Sequence, residues 1–433
     1  MNQTKFRFSA LSVLLFCSAC SQRAIIGPEV RSAMALPDTW NQTRGFLDWT
    51  EADLSESEIQ ANALNYSFIW GGLVWQPASF RAANPKINVG FYIPSLLDTE
   101  NGRPDPFPMD SQQDTPQRRA RTLQWWNTEA DGVGHPDWVM YQCDRRTPAY
   151  QAIGGSTLPN MPLDITNPEV IDWQLRAGDA ASDFTVLSAD LVQLRNFNHA
   201  CGVYRHGEWL QLFSGADLDP TFASAILNWA QQIRAHLHVL PSPRGLVANF
   251  ATYHWYSDAE IASLAANLDG VLDEQGFTAF GTAPLWGDAW LHKVRNMISI
   301  QGQGVAFYSV NYVSAFPPSQ RETEWVLASF LMGRERSAYI IMTLAGVRWP
   351  HLSQYDEDVG HPCAPMRSFQ NVYVRDYTKA MAVVNPSESD SHTVTLPSVS
   401  FRDLYGNPIE GGTLVLEPMT GKVLLRAASQ CPQ

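Results

Sequence analysis

An α/β architecture, a (β/α)8 TIM barrel followed by a small all-β domain of β-sandwich type, is predicted by three features of the chain. From about residue 60, short apolar, β-branched or aromatic runs alternate with longer amphipathic stretches, the pattern of a parallel sheet covered by helices. Eight such runs fall within roughly 290 residues, the size of one barrel. After Pro365 the helical period stops, and short alternating segments follow, broken by Asn-Pro, Gly-Asn-Pro, Gly-Gly and Thr-Gly turns. A doubly wound sheet, the competing design, would carry a glycine-rich first turn for a nucleotide, and neither G-x-G-x-x-G nor G-x-x-x-x-G-K-[ST] occurs.

Residues 1–20 read as an export signal. Lys5 and Arg7 precede the apolar run 8–16, too short to span a bilayer, and the segment CSAC at 17–20 resembles a bacterial lipoprotein cleavage box with Cys20 as the lipidated residue. Cys17 stands where such boxes usually carry Leu; Ser21 after the cysteine favours the outer membrane. The expected location is therefore outside the cytoplasm, as an outer-membrane lipoprotein or a periplasmic or extracellular protein. Residues 21–59 read as a linker or extension, 60–365 as the barrel and 366–433 as the β-sandwich. The eight strand candidates are Tyr66–Trp70, Ile87–Ile93, Trp138–Tyr141, Leu191–Leu194, Gly245–Asn249, Gly270–Leu272, Gly304–Tyr308 and Ala338–Met342. Helical patterns lie between them at 117–126, 168–176, 220–238, 258–268, 286–300 and 321–334. Two open on capping signals, Asn167-Pro168-Glu169 and Ser257-Asp258-Ala259-Glu260.

Composition narrows the partners. Of 433 residues, 45% are hydrophobic and 17% charged, which excludes a disordered chain. With 30 Lys and Arg against 43 Asp and Glu, the net charge is −13, and no basic run tracks a phosphate backbone, so neither nucleic acid nor an anionic lipid surface is expected to bind. Membrane contact is expected only through a lipid anchor. The 15 Trp, 14 Tyr and 20 Phe serve protein cores, and flat rings also suit the apolar faces of sugars. Cys143, Cys201, Cys363 and Cys431 remain after the export signal. Export makes disulfides plausible, and of three possible pairings 143 with 201 and 363 with 431 is favoured, since Cys143 and Cys201 both follow strand-like runs placed side by side. No C-x-x-C or H-x-x-x-H spacing suggests zinc, and no metal or cofactor is called for.

In a barrel the chemistry sits at the C-terminal ends of the strands. By position the candidate acids are Asp98 and Glu100 after strand 2, Asp144 after strand 3, Asp190 at strand 4, and Asp273 and Glu274 at the end of strand 6. Arg195 and Asn196 after strand 4, Asn249, Tyr253, His254 and Trp255 after strand 5, and Tyr312 after strand 7 are candidates for holding a substrate. Glycosidic cleavage needs this set: one acid to protonate the leaving oxygen, a second carboxylate as nucleophile or base, and amides and rings to hold the sugar. Asp98, Glu100 and Asp144 suit helix caps or arginine partners as well, Arg145 and Arg146 standing beside Asp144. Glu274 follows a strand and precedes the turn Gln275-Gly276, so its side chain is expected to face the mouth. The strongest catalytic candidates are Glu274 as general acid/base, with Asp144 or Asp273 as the second carboxylate.

Four blocks carry a family resemblance: LDITNPE at 163–169, LDGVLDE at 268–274, YDEDVG at 355–360, and VYVRDY at 372–377 leading to VVNP at 383–386. Together they resemble bacterial glycoside-hydrolase-like (β/α)8 proteins, barrels followed by a β-sandwich and distantly similar to α-galactosidase and dextranase-type enzymes. The resemblance implies hydrolysis of glycosidic bonds in a polysaccharide or oligosaccharide, with one acid after strand 4 and one after strand 6. The strand 6 acid falls on Glu274. The strand 4 pattern, D-G-x-x-x-D-N, reads DLVQLRN at 190–196, so Arg195 replaces its second acid. A guanidinium cannot attack an anomeric carbon or take up a proton. On this alignment Asp190 opens the strand, far from the mouth, and is read as structural. The expectation is a glycoside hydrolase acting on an extracellular or cell-envelope polysaccharide, or alternatively a catalytically inactive glycan-binding lipoprotein.

Overall fold

The computed structural model describes residues 34, 43–47, 54–71, 77–94, 134–149, 162–179, 183–190, 192–252, 256–281, 283–409, 412–426 and 431. Cys20, Asp98, Glu100, Tyr253, His254 and Trp255, and the helical pattern at 117–126, lie outside this set. Eight strands close into a parallel barrel in sequential order: β1 (Arg44–Leu47), β2 (Tyr66–Ile69), β3 (Asn88–Pro94), β4 (Val186–Asp190), β5 (Gly245–Asn249), β6 (Gly270–Asp273), β7 (Ala306–Tyr312) and β8 (Ala338–Thr343). Helices α1 (Glu56–Asn62), α2 (Pro77–Ala83), α3 (Pro168–Asp179), α4 (Pro220–Val239), α5 (Asp258–Ala265), α6 (Gly287–Gly302) and α7 (Gln320–Gly333) lie between the strands. Ser55, Ser257 and Ser319 each close a capping box with a glutamate three residues on, and Asp219 caps α4.

Strand alternation divides the apolar residues into two shells. Val186, Val247, Leu272, Ala306, Tyr308, Val310, Tyr339 and Ile341 point into the barrel with Phe46 and Phe68, whereas Leu187, Leu246, Ala248, Val271, Phe307 and Ile340 face the helices. Rings plug the lumen: Tyr308 stands 4.6 Å from Phe68, 5.3 Å from Phe46 and 5.0 Å from Tyr339, centroid to centroid. The interior is a packed core, and a ligand can be bound only at its mouth.

Three boundaries differ from the sequence expectation. The stretch assigned to a linker supplies β1; with four residues, it is too short to show a period. Trp138–Tyr141 is not a barrel strand. Its backbone makes isolated antiparallel bridges to Leu163, Pro148 and Gly202, in a subdomain between β3 and α4 that also holds the hairpin Gly202–Arg205 with Glu208–Gln211. The fourth strand is Val186–Asp190, not Leu191–Leu194, so Asp190 stands at its C-terminal end.

The C-terminal region forms a six-stranded antiparallel sheet, whose strands include Val372–Asp376, Ala380–Asn385 and Thr420–Arg426, and a two-stranded sheet, His392–Thr395 with Thr413–Leu416. Val374, Met381, Val383 and Leu424 of the first pack against Val394 and Leu416 of the second, while Ala380, Ala382, Val384, Val423 and Leu425 on its opposite face join the core formed by the barrel helices. Arg375 donates to the carbonyls of Met332 and Arg334, each at 2.9 Å, and to Glu335 at 2.7 Å, capping the C-terminal end of α7. The small domain thus buttresses the barrel. Cys143 is bonded to Cys201 within the subdomain, and Cys363 to Cys431 at the edge of the sandwich.

Candidate active site

Five consecutive strands contribute one inward side chain each at the mouth. Tyr92 of β3, Asp190 of β4, Asn249 of β5, Glu274 immediately after β6 and Tyr312 of β7 form an unbroken hydrogen-bonded arc. The Tyr92 hydroxyl donates to Asp190 Oδ2 at 2.5 Å, and Asn249 Nδ2 donates to Asp190 Oδ1 at 2.8 Å. The same nitrogen donates to Glu274 Oε2 at 2.9 Å, and the Tyr312 hydroxyl donates to Glu274 Oε1 at 2.8 Å. All four carboxylate oxygens therefore accept a bond, each from an uncharged donor. Asp190 and Asn249 are buried and Glu274 is half-buried. The buried Trp70 ring, 6.4 Å from that of Tyr92, lies beside the arc.

One amide nitrogen between two carboxylates fixes their spacing. The facing oxygens cannot be further apart than about 5.7 Å, the sum of the two contacts. With the N–H bonds of a planar amide diverging by about 120°, they stand about 5 Å apart. The turn after Glu274 is tight: Gly276 has φ +53°, and a Cβ there would come within 2.0 Å of the Val310 carbonyl oxygen. Only glycine fits, and the turn leaves Glu274 at the strand end.

Asp190 therefore stands at the C-terminal end of strand 4, and its placement at the start of a strand is corrected. Register is the physical reason: the run TVLSAD at 185–190 pairs with β3 and β5, and the chain has left the sheet before Arg195. Arg195 stands in for no carboxylate. Its guanidinium lies over the Tyr256 ring at 5.4 Å. Burial pushes the Glu260 carboxyl up, but hydrogen bonds from Ser257 and the Arg195 charge outweigh it and hold that carboxyl below its usual range. Asn196, expected to hold substrate, is buried and pairs its amide with the N–H and carbonyl of Ala200, each at 2.8 Å.

Two acids expected in catalysis are occupied elsewhere. Asp273 points outward, as alternation requires one residue before Glu274, and is fully buried. It accepts Lys293 Nζ at 2.6 Å, the Thr252 N–H at 3.2 Å, the Thr252 hydroxyl, and the Gln275 N–H at 3.1 Å. Burial pushes the Lys293 ammonium below its ordinary pKa, and the Asp273 charge works against that. Asp144 is an exposed turn residue of the subdomain. Hydrogen bonds from the Thr147 side chain and from the Thr147 and Arg146 N–H groups hold its carboxyl low. Tyr92, which the sequence reading passed over, completes the arc; its odd-even position in β3 was the available signal. Among the described residues no three His, Cys, Asp or Glu side chains gather as a metal site.

No family model matches the chain, and no curated protein matches it. Solved structures resemble it at low identity. An α-amylase from Lactobacillus plantarum is 11% identical, covering 89% of this chain and 98% of its own, with a TM-score of 0.44. An α-amylase from Malbranchea cinnamomea is 11% identical over 90% and 98%, with a TM-score of 0.45. A noncanonic maltogenic α-amylase, AmyB from Thermotoga neapolitana, is 9% identical over 89% and 98%, with a TM-score of 0.46.

Proposed function

We propose that the protein is a retaining glycoside hydrolase with Asp190 as nucleophile and Glu274 as general acid/base. The observation that carries this reading is the pair of mouth carboxylates held by a single amide nitrogen, facing oxygens about 5 Å apart. Retaining enzymes hold their carboxyl groups about 5–5.5 Å apart, inverting ones about 6.5–9.5 Å. Asp190, deeper and on the rigid strand, attacks the anomeric carbon as the glycosidic C–O bond breaks, its electron pair leaving with the oxygen. Glu274, half-buried at the edge of the mouth, gives that oxygen its proton. A water molecule then attacks the glycosyl ester, gives its proton to Glu274, and frees the sugar and the Asp190 carboxylate. Arg195, which favoured a binding-only alternative, stands outside the strand whose acid it was read to replace.

We also infer that the protein works outside the cytoplasm, on polysaccharide. The charged and apolar pattern of residues 1–16, the CSAC box and the two disulfides support export, and the box supports anchoring at Cys20.

The test is reducing-sugar release from bacterial exopolysaccharides and plant and algal glycans by the wild-type protein, Glu274→Gln and Asp190→Asn. Both variants are expected to lose at least 1,000-fold in rate, on the order of 4 kcal/mol of transition-state stabilisation. Azide added to Asp190→Gly should restore turnover and yield a glycosyl azide of inverted configuration. Release unaffected by either substitution, or a product of inverted anomeric configuration from the wild type, overturns the assignment.

A further inference from the structure

The loop that leaves Glu274 carries a feature that hydrolysis alone does not explain. Ala279, Phe280 and Gly281 all have left-handed backbone, with φ of +45°, +60° and +78°. For L-residues this conformation costs stability, and for a bulky side chain it is a genuine outlier. Here the strained residue is a phenylalanine, 42% exposed, held in a conformation that asparagine or glycine would adopt more readily. Strain of this kind persists where the surroundings enforce it, and it collects at functional sites.

The surroundings do enforce it. Gly281 N–H donates to the Thr278 carbonyl at 2.8 Å, and Phe280 N–H to that of Gln275 at 3.3 Å. The base of the loop is anchored at Phe277, whose N–H donates to Asn311 Oδ1 at 2.7 Å and whose carbonyl accepts Trp325 Nε1 at 2.9 Å. Gly281 packs directly on β7: a Cβ there would lie 3.0 Å from the Cβ of Tyr312. Tyr312 is the residue whose hydroxyl holds Glu274. Further along the same loop Trp286 is 45% exposed, and the next N–H, that of Gly287, donates to the carbonyl of Pro386 in the small domain at 2.8 Å.

We propose that Phe280 is a stacking platform for a sugar unit on the leaving-group side of the scissile bond, and that Trp286 continues the surface toward the sandwich. The side is set by chemistry: the loop adjoins Glu274, and the group that protonates the leaving oxygen faces the leaving sugars. This rests on the role given to Glu274 above. The ligand class is a glycan chain of several pyranose units, because a ring on the loop beyond Glu274 adds nothing to a disaccharide but stacks on the apolar face of later units.

Phe280→Asn tests this, since asparagine accepts the left-handed conformation and removes the ring. Binding is measured calorimetrically in the Asp190→Asn background, with the hexaoses and disaccharides of α-1,4-glucan, α-1,6-glucan, β-1,4-glucan and β-1,4-linked N-acetylglucosamine. Thermal unfolding is recorded alongside. The expected result is hexaose binding weakened about tenfold, disaccharide binding unchanged, and a Tm equal to or above that of the parent. Phe280→Tyr should bind hexaose as the parent does. Equal hexaose affinity with and without the ring overturns the platform, as does a sharp fall in Tm in Phe280→Asn, which would make the ring a packing residue. Hydrolysis of aryl glycosides by the wild-type protein, with no hexaose bound in the Asp190→Asn background, would also defeat the platform and leave the hydrolase reading standing. Hexaose binding that depends on Phe280, in a protein that cleaves no glycan, would keep the platform and remove the hydrolase.

Discussion

Replacing Asn249 by aspartate exchanges the one donor that separates the two mouth carboxylates for a third acceptor. In the native site both N–H bonds of Nδ2 are committed, at 2.8 Å to Asp190 and 2.9 Å to Glu274. The aspartate would put a carboxylate in that position, with charge centres about 4 Å from each neighbour. At an effective dielectric of about 20, two unit charges at that distance repel by about 4 kcal/mol, or about 3 pKa units per pair. The three groups cannot all ionise near neutrality, so one proton is taken up and shared among them. In 13C NMR titrations of carboxyl-labelled protein, Asn249→Asp should gain a proton retained about 3 units above the ordinary carboxylate range. The acid limb of its pH–rate profile should move the same way. Asn249→Ala, which removes the donor without adding charge, should lose rate with a much smaller shift. An added carboxyl that titrates in the ordinary carboxylate range, with every other curve of Asn249→Asp superimposing on that of Asn249→Ala, would show that position 249 does not lie between the two acids.

Other consequences concern the supports of the site. Lys293→Met leaves the Asp273 carboxylate buried without its 2.6 Å partner, and should cost about 3–5 kcal/mol in urea unfolding; Lys293→Met/Asp273→Asn should recover part of that, and an unchanged midpoint in the single variant would refute the pairing. The disulfides close sequence separations of 58 and 68 residues, and chain entropy assigns each about 4 kcal/mol. Removing the outer one in Cys363→Ser/Cys431→Ser should lower Tm by several degrees in the absence of reductant, and a Tm equal to that of the wild type would contradict it. Asp219, Glu322 and Asp403 are pushed up by burial, yet hydrogen bonds outweigh it and hold all three below their usual range. The unfolded chain therefore binds more protons, and their stabilisation is complete above about pH 4.5 and lost as pH falls through the lowered values. The urea midpoint should hold from pH 7 to 5 and drop below about 4.5; a midpoint rising on acidification would refute the sign.

The barrel was legible because its outer and inner faces obey simple periods. Six of the eight strand candidates overlap barrel strands, and long helices such as Pro220–Val239 announced themselves through an Asp-Pro start and a regular apolar face. Short elements were not legible. Arg44–Leu47 places one ring, Phe46, in the lumen, too few residues for any period to register, and Trp138–Tyr141 has the apolar composition of a strand while pairing by single bridges in the subdomain. Composition reports that a segment is buried; which partner buries it is a tertiary fact.

The same limit explains the misreading of Asp190 and Arg195. The runs TVLSAD and LVQLR are both apolar enough to be a strand, and choosing the second moves the strand end by about five residues, roughly 16 Å of extended chain. That shift made Arg195 occupy the place of the acid at the strand end and put Asp190 at the wrong end of the strand. At β6 the strand was placed correctly, and there parity alone decides between neighbours. Leu272 fills the lumen, so Asp273 must face the helices and Glu274 the mouth. The outward acid meets Lys293 and becomes a buried anchor; the inward one meets Asn249 and Tyr312 and is left facing the mouth. Two adjacent carboxylates, indistinguishable by composition, thus divide into a buried one and one facing the mouth by the alternation of a single strand.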